Sequence, residues 1–225
     1  MEYFQIDRKP EYGIFDEVYP NYLLPIAPEA EDLCRLHKLI RARKVFNVLE
    51  FGLGFSTIVM ADALEKNYND YSADPDAVEV RIREPFTIYC VDASEHWIDY
   101  FTNKYKDIVP YFNRIKINYS KCEAGEYNGQ LCHYYTNIPN VITDFVYLDG
   151  PDSNDVAGKI NGLSFQNCLE RTVMSGDLLK MEPTFLQGMM ILVDGRTNNA
   201  RFLSNNFRRQ YKSLYDEDQD ITNRI

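Results

Sequence analysis

A doubly wound, mostly parallel α/β sheet carrying an inserted β-hairpin is the fold class this sequence predicts, on three observations. Apolar runs of strand length alternate with segments of helical period. The first of those runs ends in a glycine turn, Gly52-Leu53-Gly54, that leads directly into a helical pattern, which is how open α/β sheets build nucleotide sites. Between the third and fourth strands, Asn128-Gly129 separates two polar-aromatic runs, and this dipeptide is the strongest short hairpin signal available.

The elements follow in order. Residues 1–28 are rich in Tyr, Phe and Pro with neither a helical nor a strand period, and are expected to form an ordered arm laid over the domain or over the partner subunit of a homodimer, the alternative being a loosely packed terminus. Glu29 to Arg43 places Leu33, Leu36, Leu39 and Ile40 on one helical face. Val45 to Phe51 is the first strand and Thr57 to Leu64 its helix; residues 66–85, polar and holding two prolines, read as an inserted surface loop. Phe86 to Val91 is the second strand, ending at Asp92; Glu95 to Tyr105 is a helix, and Arg114 to Tyr119 alternates as a third strand. After the hairpin come a fourth strand at Asp144–Asp149, a crossover helix region at Phe165–Leu179, a fifth strand at Met189–Val193, a helix at Asn198–Gln210 and a sixth strand at Tyr211–Tyr215. Such alternation specifies parallel strands joined by crossovers.

A chain of 225 residues fits one α/β domain, here 29–225, behind the arm. With 34 acidic against 24 basic residues the net charge is −10, and no Lys/Arg cluster has the length of a nucleic-acid footprint, so DNA and RNA are excluded as expected partners. The acidic run Asp216–Asp220 reads as a solvated turn. Five cysteines, at 34, 90, 122, 132 and 168, form no C-x-x-C pair and no metal-ligand spacing, which points to a reducing, cytoplasmic setting. The first residues lack a basic segment followed by an apolar one, and no run of 18 apolar residues occurs, so neither export nor membrane spanning is expected.

Which nucleotide the glycine turn would serve is decided by its neighbours. A dinucleotide fingerprint needs a third glycine where Thr57 stands, and the strand carries Glu50 two residues before Gly52, which argues against NAD. The Lys-Ser or Lys-Thr pair of a phosphate loop is missing. A ligand with an amino group and no pyrophosphate fits better, and S-adenosylmethionine is such a ligand. The stretch Glu50-Phe51-Gly52-Leu53-Gly54-Phe55-Ser56 resembles motif I of the class I S-adenosylmethionine-dependent methyltransferases, a Rossmann-like fold, in which the acidic residue sits near the methionine ammonium and the glycines pass close to the cofactor. An acid at the carboxyl end of the second strand is where a ribose diol would be held in this sheet type; Asp92 looks like the family's ribose-binding acid, and Ala93 like the small residue against the adenine. The interval from Gly52 to Asp92, 40 residues, is about twice the usual one, and the 66–85 insertion accounts for the excess. The family normally adds an antiparallel seventh strand, for which Asp220–Ile225 is barely long enough.

In open α/β sheets ligands bind outside the carboxyl ends of the strands. The polar residues there are Glu50, Gly52 and Gly54; Asp92; Ser120 and Cys122; Asp149 with Asp152; and Asp194 with Arg196 and Asn198. Of these, Cys122 joins Glu50, Gly52, Gly54, Ser56, Asp92 and Ala93 as an expected cofactor-binding residue. The wider pattern, Tyr147–Asp152, Ile160–Gly162 and Ile191–Phe202, is similar to a bacterial subgroup of these methyltransferases whose substrates are unassigned. The resemblance implies fold and cofactor, and leaves the acceptor open; a small polar molecule such as a sugar or sugar acid, methylated at oxygen, is the expectation. Asp149, after the fourth strand, is the candidate catalytic base, its alternative role being a turn cap before Gly150-Pro151. Asp194, Arg196 and Asn198 are the candidate substrate-binding residues, Arg196 through a two-pronged contact with an anion or, alternatively, as a brace for Asp194. No metal is expected: relatives that hold a divalent ion use an adjacent Asp-Asn pair after the fifth strand, and here Gly195, Arg196 and Thr197 interrupt it. His96, beside Trp97, either covers the adenine or starts a helix; His37 and His133 have no nucleophile or ligand nearby in sequence. The competing function is a catalytically silent module of the same fold that binds a nucleoside or a partner, with a nucleotide-sugar or NAD-dependent enzyme third.

Overall fold

The computed structural model describes residues 30–166, 168, 170–194, 197–216 and 221–224. The expected arm at 1–28, Arg196, and most of the acidic run before Asp220 lie outside those residues.

The chain before the first strand forms α1 (Ala30–Arg43), and the apolar run after it forms β1 (Asn47–Phe51), buried along its whole length. Next come α2 (Phe55–Ala73), β2 (Thr87–Asp92), α3 (Glu95–Tyr105) and β3 (Ile115–Tyr119). The hairpin is β4 (Cys122–Tyr127) and β5 (Gln130–Tyr135), turned by Asn128 and Gly129 at φ 49° and 73°, the paired positive φ values that suit an Asn-Gly turn to the strand twist. The chain closes with β6 (Phe145–Leu148), the short β7 (Val156–Ala157), α4 (Asp177–Met181), β8 (Met190–Val193), α5 (Thr197–Asn206), β9 (Ser213–Asp216) and β10 (Ile221–Arg224).

The main sheet runs β3-β2-β1-β6-β8-β10-β9. Strands β3, β2, β1, β6 and β8 are parallel, and β10 is antiparallel to both its neighbours. This is the doubly wound sheet with a hairpin insertion that the sequence predicts, closed by the short last strand. Alternation along the strands divides the core: Val48, Ile88, Phe145 and Leu192 lie with α1, α2 and the Phe101 and Tyr105 rings of α3, while Leu49, Val91, Leu148 and Val193 face the other way. That second face is covered largely by the hairpin, through Cys122, Cys132 and Tyr135, and by Leu178, Leu179, Phe202 and Leu203 of α4 and α5.

Two expectations need correction. The inserted loop begins later than the polar composition suggests, because α2 continues to Ala73. Tyr68 and Tyr71 on its added turns pack against Phe86, Tyr71 also meets Phe46, and Asn67 donates from a buried position to the carbonyl oxygens of Ile40 and Val45; these contacts outweigh local turn propensity. Among the described residues, the crossover between β6 and β8 has single 3-10 turns at Ser153–Asp155 and Glu182–Thr184 and is α-helical only at Asp177–Met181. Before it, the chain pairs with β5: the His133 N–H donates to the Met174 carbonyl, and Gly176 N–H to the His133 carbonyl. A strand partner supplied by the hairpin wins those backbone groups from a helix.

The same join makes a stability prediction. The Tyr134 ring lies across the backbone of both Gly125 and Gly176, so that an added Cβ on Gly125 would come within 2.6 Å of it and one on Gly176 would overlap it, with the Lys180 ammonium 3.4 Å from the ring centroid. Gly176→Ala should destabilise by about 1–3 kcal/mol in urea unfolding. Combining it with Tyr134→Ala should relieve most of that cost, and additive losses would show that the ring is not what the glycine accommodates.

Candidate functional site

Strand order reverses between β1 and β6, and in such sheets the loops leaving the two strands at that point form a crevice. Here the loops are held together by their backbones. Phe51 ends β1 with a carbonyl that accepts from Asp149 N–H at 3.0 Å and Gly150 N–H at 2.5 Å, while Gly52 N–H donates to the Val91 carbonyl at 2.9 Å. Gly52 has φ 120°, a conformation that requires glycine, and a Cβ there would also press on Gly150 N at 3.3 Å. Gly54 differs: its φ of −173° is ordinary extended backbone, and a Cβ would find only Ser56 Oγ, at 3.9 Å. Only Gly52 of the two thus needs a conformation that other residues avoid; the Gly54 N–H donates to Thr57 Oγ1 at 3.0 Å at the start of α2.

Glu50 is completely buried beneath that first turn of α2. Its two carboxylate oxygens accept from Ser56 Oγ at 2.5 Å and Thr57 Oγ1 at 2.6 Å, and Cys90 Sγ, its register partner on β2, donates at 3.3 Å. Burial dominates these hydrogen bonds and, with the nearby Asp149 charge, pushes its pKa from the ordinary 4.5 up to about 8. Burial and the Glu50 charge likewise push the Cys90 thiol up. Tyr147, the register partner on β6, is buried on the same face and donates to Asp194 Oδ2 at 2.6 Å. The polar row Cys90–Glu50–Tyr147 thus crosses three strands and reaches Asp194 after the fourth.

Asp92 ends β2. One carboxylate oxygen accepts from Ser94 N–H at 2.8 Å, Ser94 caps α3, and Trp97 Nε1 donates to the Leu53 carbonyl at 2.5 Å, which ties α3 to the glycine turn. Burial, and then the charges of Asp155 and Asp149, raise Asp92 from 3.8 to about 6. Ala93 packs against the second core face. His96 is exposed beside Tyr100, so its place is on the outer surface of the helix start. Asp149 is exposed at the end of β6, while Asp152 accepts from Asn154 N–H in the turn that follows.

The structure therefore brings Glu50, Gly52, Gly54, Ser56, Asp92, Asp149 and Asp194 to one sheet edge. Other expected residues sit elsewhere. Cys122 is a core residue of the hairpin, opposite Val156, its thiol pushed up chiefly by burial, and does not line the crevice. Ser120 uses its hydroxyl to accept from Asn137 N–H at the base of the hairpin. Asn198 is exposed and donates to Thr172 Oγ1 at 3.0 Å, in a separate cleft with Arg171 and Arg201. Residues not anticipated are Tyr147, Thr57 as a partner of Glu50, Trp97 as the tie to Leu53, and Asp155 as a source of negative field. A phenol inside the apolar run of β6 was the one sequence signal for Tyr147. Among the described residues no three His, Cys, Asp or Glu side chains are grouped to hold a metal, and no helix is long and apolar enough to cross a membrane.

No family model matches this chain, and no curated protein matches it. Among solved structures, it is similar to the O-methyltransferase TomG from Streptomyces achromogenes, involved in tomaymycin synthesis and solved with SAM, at 13% identity and TM-score 0.48 over 90% of this chain and 82% of that one. It is also similar to the methyltransferase PaMTH1 of Podospora anserina, bound to SAH, at 12% identity and TM-score 0.49 over 88% and 79%. A Bacillus cereus O-methyltransferase in complex with SAH gives 12% and 0.49 over 90% and 84%. At identities this low and TM-scores below 0.5, the chemistry has to come from the chain's own residues.

Proposed function

We propose that this chain is a cytoplasmic S-adenosylmethionine-dependent methyltransferase acting on a small polar acceptor, with O-methylation of a sugar or sugar acid as the specific reading. The observation that carries it is the run of carboxyl groups at the switch point: Glu50 beneath the glycine turn, Asp92 half-enclosed at the end of β2, and Asp149, whose charge raises the pKa of both. The negative field of Asp149 at this edge favours a ligand with a positive charge over a pyrophosphate. S-adenosylmethionine supplies, when bound, a methyl group on a sulfonium that leaves as a neutral thioether.

The chain's part is to bind, orient and accept a proton. Asp92 offers carboxylate oxygens to paired hydroxyls, and Gly52 leaves the backbone open to close approach. Asp149 takes the acceptor hydroxyl's proton at a carboxylate oxygen as the new carbon–oxygen bond forms. Asp194, fixed by Tyr147, orients the acceptor together with Arg196, whose cation would balance an acidic acceptor against this negative edge. A homodimer formed through residues 1–28 belongs to the same reading.

Calorimetric titration with S-adenosylhomocysteine and with NAD tests the cofactor: binding of the first and none of the second is expected, and the reverse would overturn the proposal. Transfer of labelled methyl groups to a panel of sugars, sugar acids, amines and phenols tests the acceptor. With an acceptor in hand, Asp149→Asn should lower turnover about 10²–10⁴-fold while leaving S-adenosylhomocysteine binding in place. Activity should survive a chelator; its loss, and return with Mg²⁺, would show that a metal is needed. Cofactor binding with no turnover on any acceptor would favour a silent binding module.

A further inference from the structure

We propose that the amino-terminal edge of the sheet, opposite the candidate active site, holds a second ligand site, for a small molecule with one anionic head group on an apolar body. A cleft of about 510 Å³ lies there, between the 81–84 segment, the loop at 140–144 and Leu186. That volume is within the usual range of small-molecule pockets. The cleft touches Asn47 at the start of β1, whereas Gly52 follows the end of that strand, roughly 13 Å or more away at the rise of an extended chain.

Its chemistry is two-sided. Phe46, Tyr89, Val141, Ile142 and Leu186 give an apolar lining, in which Ile142 and Leu186 remain 57% and 46% exposed, more than a packed interior leaves open. Arg81 and Arg83 supply the charge. Neither guanidinium makes a hydrogen bond or ion pair among the described residues, although the protein carries a net charge of −10. The two acids in the wall are engaged: Glu84 is bonded to Lys116 at 2.7 Å and accepts from the Tyr89 hydroxyl at 3.3 Å, and Asp144 accepts from the Phe46 and Asn47 N–H groups at 2.9 and 2.8 Å. Arg83 lies in the field of Glu84, whose carboxyl is held below its usual value chiefly by Lys116, but neither guanidinium is tied by a hydrogen bond among the described residues, so both can turn to a ligand, and a planar fork suits a carboxylate, phosphate or sulfonate.

The backbone that presents them is held in place. Glu84 and Phe86 have φ of 135° and 63°, values that non-glycine residues rarely adopt, and Phe86 is pinned among Phe46, Tyr68 and Tyr71 with ring centroids 5.0 to 5.7 Å apart. Strain of this kind persists only where surrounding contacts enforce it, and it concentrates at ligand sites. The insertion that lengthens the interval before Asp92 thus has a use of its own: it builds one wall of this cleft.

The test uses the whole chain and 8-anilinonaphthalene-1-sulfonate, an apolar anion whose fluorescence rises on binding. One saturable site per chain is expected, displaced by decanoate or decyl phosphate and not by decyltrimethylammonium at equal concentration; which of the two anions competes better separates a carboxylate ligand from a phosphate. Changing Arg81→Ala together with Arg83→Ala should weaken probe and decanoate at least about tenfold, and Leu186→Asp should do the same through the apolar wall. Both sites of change are exposed, and circular dichroism checks that the variants fold. Equal displacement by the cation, unchanged affinity in the arginine variant, absence of a saturable site, or displacement of the probe by S-adenosylhomocysteine would each overturn the proposal.

Discussion

Glu50→Gln is expected to make the protein more stable at pH 8 and above while leaving it unchanged near pH 4.5. The carboxyl titrates at about 8 in the fold, chiefly because burial penalises its charge, against an ordinary value of 4.5. Between those values the folded state binds more protons than the unfolded state, so stability declines as pH rises from 4.5 and levels off above 8. For a shift of this size the decline is on the order of a few kcal/mol. Glutamine removes the charge but keeps the shape, and its amide can still meet the hydroxyls of Ser56 and Thr57. Asp177, pushed from 3.8 to about 7 by burial, and Asp92, to about 6, lose stability in the same direction over their own ranges and remain in the variant. Thermal unfolding from pH 5 to pH 9 should therefore show a shallower decline in the variant, the difference growing through pH 7–8. Parallel curves would mean that Glu50 does not carry the buried charge. Above pH 8, where the carboxyl carries its charge, the same substitution should also weaken S-adenosylmethionine binding under the proposed function.

Asp92→Ala is expected to weaken S-adenosylhomocysteine binding by about 1.5–3 kcal/mol, roughly ten- to a hundredfold, the cost of losing a charged hydrogen-bonding partner. A pH profile separates this role from a structural one. In the free protein the Asp92 carboxyl titrates at about 6; hydroxyl donors favour its ionised form, so binding lowers that value and affinity should fall as pH drops below 6, by at most tenfold per unit. The Ala variant should lose that dependence. Because Ser94 N–H donates to the same carboxylate at the start of α3, Asp92→Asn is the companion variant: it keeps an acceptor for the turn and should retain the fold while still losing affinity. Unaltered affinity in both variants would remove Asp92 from the site.

The sequence by itself determined the order of strands and helices, the hairpin, and the presence of an acid at the end of β2. Each rests on neighbours in the chain: period, the Asn128-Gly129 turn, and the residue that follows an apolar run. Helix α3 was legible to its ends because its spacing and its Ser94 cap are local. Only the tertiary structure decided what those residues experience. Glu50 looked like an open ligand contact, yet α2 folds its first turn over the carboxyl and changes its charge state. Cys122 looked like a site residue on the sheet edge, yet pairing with Val156 turns it into core. Residues 174–176 left the expected helix because β5, some forty positions earlier, offered them a partner. Arg81 and Arg83 read as part of a polar loop until Phe46, Val141 and Leu186 assembled beside them. Local geometry follows from interactions within a few residues, whereas desolvation, strand pairing and the walls of a cleft depend on contacts between residues tens to more than a hundred positions apart, which a linear pattern does not encode.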